Sequence, residues 1–262
     1  MITSSNRIDE RFSQLRATGR KALVCYVTAG HPDRARSLDL LRGLESAGAD
    51  VLEIGVPFSD PMADGPVIQA SSQMALDAGM TFQGVLDLVE EARLGVPVVL
   101  FGYLNPFIAA GDDFPARIER AGCDGVLITD LPVGADPKLE SRIANSGLAF
   151  IRLVAPTTPL SRMKMIAQRG SGFVYLISRL GVTGMKSDIS PELATTVARL
   201  RSATSLPICV GFGVTDARQA AAVTAIADGV VVGSAIVKAA GESVSAAVEL
   251  VASMRAGIDA GG

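Results

Sequence analysis

Tryptophan is missing from this chain and histidine almost is, and each shortage removes a chemistry. With His31 alone there is no histidine cluster for zinc, and no serine or cysteine has a histidine base in a recognisable nucleophile motif. His31 reads as part of a turn ahead of Pro32. The cysteines, Cys25, Cys123 and Cys209, are odd in number, lack a CxxC spacing and fall in or beside apolar runs, so they read as reduced core thiols. Lysine is confined to Lys21, Lys138, Lys164, Lys186 and Lys238. None of these lies in a strand facing a cavity, which argues against Schiff-base chemistry. No stretch approaches the roughly 18 uninterrupted apolar residues of a membrane span. The opening MITSSNRIDERFSQL has no apolar signal core, so a cytoplasmic protein is expected. A net charge of -3 with scattered basic residues gives no electropositive footprint for nucleic acid or anionic lipid. What remains is carboxylate chemistry on a small molecule.

Short apolar runs are plentiful. Strand candidates fall at Ala22 to Thr28, Val51 to Ile54, Val98 to Phe101, Gly125 to Ile128, Phe150 to Leu153, Phe173 to Leu176, Ile208 to Val210 and Gly229 to Val232. Amphipathic segments such as Arg34 to Ser46, Thr81 to Arg93 and Leu160 to Gln168 alternate with them. Eight such units in 262 residues match a single (β/α)8 barrel, typically about 250 residues, spanning residues 1–262 as one domain. An open doubly wound sheet is the alternative, disfavoured by the strand count and by the lack of a GxGxxG fingerprint. An extra helix, Ile8 to Ala17, precedes the first strand and is expected to cover the N-terminal mouth. Three units share one grammar before a strand: Ala47 to Asp50, Ala121 to Asp124 and Ile226 to Asp228 each end in aspartate. In the first two, a glycine suits a left-handed helix terminus.

The run VLEIGVPFSDPMADGP, Val51 to Pro66, places Glu53 among aliphatic strand residues. A carboxylate there is desolvated unless it faces a polar cavity, and its pKa is expected to rise, as suits a general acid. Asp64, eleven residues on, lies in a loop able to fold back over the strand end. Taken alone it reads as an Asx turn or a cap on the helix starting near Val67; taken with Glu53 it makes a pair of acids in unlike environments. The seventh strand enters a glycine turn (Val210 to Val214), and the eighth a short helix opened by Gly233 and Ser234. In a barrel, amides at those two strand ends form a recurrent phosphate site, here Gly213, Gly233 and Ser234. Ser178 to Asp188 is polar and glycine-containing, readable as a lid or a plain connector, and Tyr175 just before it as a site residue or as packing.

Together, the Glu53 to Pro66 block, the Ser178 to Gly184 loop, Val210 to Val214 and Gly233 to Lys238 resemble the tryptophan synthase alpha subunit, in order from about Lys21 to Glu249. The resemblance implies a barrel lyase that cleaves indole-3-glycerol phosphate to indole and glyceraldehyde 3-phosphate, with no cofactor of its own. It also implies a beta subunit carrying pyridoxal phosphate, in an alpha2beta2 heterotetramer. Carried over by motif, Glu53 is the acid/base, Asp64 attends the indole nitrogen, and Tyr175 is an active-site tyrosine. Gly184, Gly213, Gly233 and Ser234 meet the phosphate, and Thr183 is the lid residue. Tyr26, Leu100, Leu127 and Phe212 wall the indole, while Asp60 and Pro61 face the partner. The chain departs from the family at His31, where aspartate is more usual, and at Leu180, a variable lid position. A standalone lyase, a non-catalytic docking subunit and a sugar-phosphate isomerase are the competing readings.

Overall fold

The computed structural model describes residues 6–178, 190–211 and 213–261. Its strands are β1 (Ala22–Thr28), β2 (Val51–Gly55), β3 (Val98–Gly102), β4 (Gly125–Ile128), β5 (Ala149–Phe150), β6 (Arg152–Val154), β7 (Val174–Ile177), β8 (Ile208–Gly211) and β9 (Gly229–Val232). They form one sheet in the order β5-β4-β3-β2-β1-β9-β8-β7-β6, and every pairing is parallel. The two outer members are consecutive in the chain, which closes the sheet on itself. The strand expected at Phe150 to Leu153 is therefore two pieces. Its first residues pair with β4 and its last with β7, because tilted strands in a closed barrel meet their neighbours at staggered levels.

Parallel strands covered on both faces divide their side chains by alternation. Val24, Val51, Val99, Leu127, Tyr175, Cys209 and Val231 point inward and form a buried cluster with Ile8, Phe12 and Leu15 of the N-terminal helix, Arg7–Ala17. That helix plugs the N-terminal mouth, with Phe12 stacked at 5.6 Å from Phe173. Asn6 starts it: its side chain accepts from the Ile8 amide, and its Nδ2 donates to the Asp124 and Gly147 carbonyls. Leu23, Cys25, Leu52, Ile54, Val98 and Leu100 point outward into the layer beneath the helices.

The repeated aspartates do one job at the same mouth. Asp50, Asp124 and Asp228 each accept, at 2.8 Å, an amide at the start of the preceding neighbour strand, from Leu23, Val98 and Ile208. A strand end at a barrel rim leaves such an amide unpaired, and the carboxylate satisfies it. Arginines balance the charge: Arg11 and Arg255 on Asp50, Arg7 on Asp124 and Arg201 on Asp228. Gly48 and Gly122 take the left-handed conformation expected of them, with φ of 100° and 93°.

Candidate active site

Glu53 lies opposite Tyr26 on β1 and Val99 on β3, with its side chain inside the barrel. It is 1% exposed, and neither carboxylate oxygen has a hydrogen-bond partner among the described residues. Burial pushes its pKa up to about 8, so the acid is neutral at pH 7. An acid held this way near neutrality is poised both to give and to take a proton.

Asp64 reaches the same cavity from the loop after β2. It does not cap the helix Pro66–Asp77: Gly65 holds that position and makes no side-chain cap. The loop is tied instead to Tyr103, whose hydroxyl accepts from the Ala63 amide at 2.9 Å. Tyr103 itself packs 5.2 Å from Phe58. Partial burial raises the Asp64 pKa and the Tyr103 hydroxyl opposes that rise, so the two acids differ in environment as expected.

The cavity, about 130 Å³, is lined by Glu53, Asp64, Tyr26 and Tyr175 together with Gly213, Gly233 and Ser234. The hydroxyl end of each tyrosine ring lies over a glycine. A Cβ at Gly55 would overlap Tyr26, and one at Gly211 would overlap Tyr175. Each glycine stands two residues beyond the register partner of its tyrosine, Glu53 for Tyr26 and Cys209 for Tyr175. The missing side chains leave the room that the two hydroxyl ends occupy.

Gly233 precedes the helix Ser234–Glu242 without a side-chain cap, whereas Ser243 caps the next helix through the Ala246 amide. The leading amides of Ser234–Glu242 have no intrahelical acceptor, and with the helix dipole they suit an anion.

Other expected site residues fall differently. Leu100 points outward into the core beneath the helices and not into the cavity; Phe101, one residue on, lines it in its place, with Ile68. The run Val98 to Phe101 is apolar throughout, so its phase cannot be read without the neighbouring strands. Leu127 is inward but belongs to the barrel interior cluster rather than the cavity lining. Thr183, Gly184, Phe212 and Leu180, and all of the expected lid after Ser178, lie outside the described residues. Asp60 is exposed and Pro61 half-buried, beside a Met62 that is 91% exposed. His31 is buried, with Nε2 3.3 Å from the Val237 carbonyl. No group of metal-binding side chains occurs among the described residues. Tyr103 went unnoticed in the sequence, although it stands two residues past Phe101 on the same side of a strand end.

Glu53 also couples stability to pH. Its folded pKa is raised above the ordinary 4.5, so the fold favours the neutral form. Below that value both states hold the proton and nothing is lost. Between it and about 8 the unfolded chain ionises while the folded one resists, so Glu53 erodes stability as pH rises. We expect Glu53→Gln to melt above the parent chain at about pH 8.5, with the gap closing towards pH 4.5; thermal melts across that range check it.

These features define a class: a β/α barrel with a buried acid and a second, half-buried acid in one cavity at the C-terminal strand ends, beside the uncapped start of a short helix. A family model described as tryptophan synthase alpha chain matches residues 12–258. The tryptophan synthase alpha chain of Caulobacter sp. (strain K31) is 48% identical over 251 residues, covering 94% of this chain and 90% of that one. The alpha chain of Caulobacter vibrioides (strain NA1000 / CB15N) is 49% identical over 238 residues, 89% of this chain and 86% of that one. Among solved structures, tryptophan synthase subunit alpha from Legionella pneumophila str. Paris superposes with a TM-score of 0.90 at 37% identity, covering 98% and 100% of the two chains. A chain of aminoacrylate-bound tryptophan synthase from M. tuberculosis does so at 0.88 and 32%, covering 97% and 100%. The chain belongs to the tryptophan synthase alpha chain family, whose members are lyases that cleave indole-3-glycerol phosphate. The alpha chain uses no cofactor of its own, and pyridoxal phosphate resides in the beta subunit.

Proposed function

We propose that Glu53 and Asp64 divide the cleavage of indole-3-glycerol phosphate between them, with the phosphate held by Gly213, Gly233 and Ser234. The observation that carries this is the unpartnered, neutral Glu53 in one cavity with Asp64 and the open helix start. Glu53 gives its proton to the ring carbon that bears the glycerol phosphate. Positive charge then grows on the ring nitrogen, which Asp64, placed at that end, stabilises. The Glu53 carboxylate takes the proton of the neighbouring glycerol hydroxyl, the carbon–carbon bond breaks, and glyceraldehyde 3-phosphate and indole leave. Glu53 ends the cycle protonated, as it began. Tyr175 lines the same cavity, and the family resemblance adds Gly184 as a phosphate contact and Thr183 as the lid residue.

Asp60, Pro61 and the exposed Met62 offer the contact surface towards the beta subunit, in an alpha2beta2 assembly. One domain carries the whole reaction. No helix among the described residues is long and apolar enough to cross a membrane, and we read a cytoplasmic biosynthetic enzyme. The test is to incubate the chain with indole-3-glycerol phosphate, alone and with beta subunit. Equal release of indole and glyceraldehyde 3-phosphate, slowed competitively by inorganic phosphate, is expected. Release that Asp64→Asn and Glu53→Gln both leave intact overturns the assignment.

A further inference from the structure

His31, the only histidine of the chain, takes no part in the chemistry above, yet it is buried against the helix that opens with Ser234. Its place is fixed from the strand side. The His31 amide donates to the Thr28 carbonyl at 3.1 Å, closing a turn directly after β1, and within that turn Gly30, with φ of 83°, donates its amide to Ser37 Oγ. The ring then crosses to Ser234–Glu242. Nε2 lies 3.3 Å from the Val237 carbonyl, and a Cβ on Gly241, one turn further along, would stand 3.5 Å from Nε2, so the ring lies against that turn of helix. A carbonyl only accepts, so Nε2 carries the proton. Burial lowers the His31 pKa below its ordinary 6.5, which leaves the ring neutral at pH 7 with that one N–H, and Nδ1 has no partner among the described residues.

We propose that His31 is a positioning residue for the anion end of the cavity: its Nε2–H, donated into the first turn of Ser234–Glu242, keeps the leading amides of that helix aimed at the substrate phosphate. The inference rests on the reading above that the phosphate sits at Gly233 and Ser234, and names the group that holds those amides in place. Val237 carries the connection, since its own amide donates to the Gly233 carbonyl at 3.0 Å, so one residue joins His31 to the start of the helix. That start has no side-chain cap of its own. The strand meets the helix at a second place, where a Cβ on Gly233 would come within 3.4 Å of Tyr26. Packing of that kind tolerates sliding, whereas a hydrogen bond has a direction and fixes the turn of the helix about its axis.

The test uses the full, untagged chain, in which His31 gives the only histidine signals. Nitrogen NMR near neutral pH is expected to show a ring protonated at Nε2 whose signal moves when inorganic phosphate binds. A ring protonated at Nδ1, or an Nε2 signal that saturating phosphate leaves unmoved, overturns the proposal even where no variant folds. In His31→Leu, the Kd of inorganic phosphate and the KM for indole-3-glycerol phosphate are expected to rise together by about 5-fold, the size of one neutral hydrogen bond, with kcat within about twofold. His31→Gln, whose side-chain amide brings an N–H close to the place of Nε2, is expected to restore both. Phosphate affinity unchanged within about twofold in His31→Leu, a fall in kcat instead, or a loss that glutamine does not restore, overturns the proposal. If inorganic phosphate neither binds the parent chain nor competes there with indole-3-glycerol phosphate, the site assignment itself falls and takes the inference with it.

Discussion

Glu53→Gln is expected to lower turnover of indole-3-glycerol phosphate by about 10²- to 10⁴-fold, the range for a positioned acid/base group. Glutamine has the same length and nearly the same volume, and the native acid is neutral in the fold, so the exchange disturbs neither packing nor local charge. What disappears is the ability to release and recover a proton. Affinity for a phosphate-bearing inert ligand should stay within a few-fold, because the amides around Gly233 are untouched. Steady-state rates with and without beta subunit, beside ligand titrations, check both halves. A turnover within tenfold of the parent, in a folded variant, would remove Glu53 from the mechanism.

Glu140→Ala is expected to destabilise the chain by about 3–5 kcal/mol, the usual result of leaving one partner of a buried ion pair alone. Arg152 and Glu140 are 4% and 5% exposed and meet at 2.8 Å. The guanidinium also donates to the Leu131 and Arg169 carbonyls and stacks 3.5 Å over the Phe150 ring, so it is fully engaged and cannot reach water. Arg152 stands on β6, the segment that closes the barrel, and its partner Glu140 also accepts from the Gly134 amide. Without Glu140 the charge stays buried at the seam. A chemical denaturation midpoint, or a melting temperature lower by roughly 10 °C for a chain of this size, measures the loss. The exposed pair Arg34–Glu91, at 2.6 Å, is the control whose rupture should change little. A loss at Glu140 no larger than at that control would show that the seam does not depend on the pair.

Where the sequence was informative, the reason was contrast. Glu53 stood out because an acid among aliphatic residues is costly without a purpose, and the strand runs stood out because parallel strands are apolar on both faces. The same uniformity hid the phase. Leu100 and Phe101 are equally apolar, and only the register of β3 against Glu53 on β2 decides that Phe101 faces the cavity. Tyr103 was invisible for a related reason, since its hold on Ala63 joins residues 40 positions apart. Gly55 and Gly211 read as ordinary strand-end glycines until the tyrosine rings lying on them give their absent side chains a meaning.

Local sequence dictated the alternation of strand and helix, the presence of an acid where water is excluded, and the glycines at the ends of the last two strands. These are local properties: periodicity, desolvation cost and backbone freedom act within a few residues. The tertiary structure alone decided which strand the fifth segment pairs with at each end and which inward side chains reach the cavity. Those depend on stagger around a closed barrel and on register between strands distant in sequence, and neither is written in any single stretch of chain.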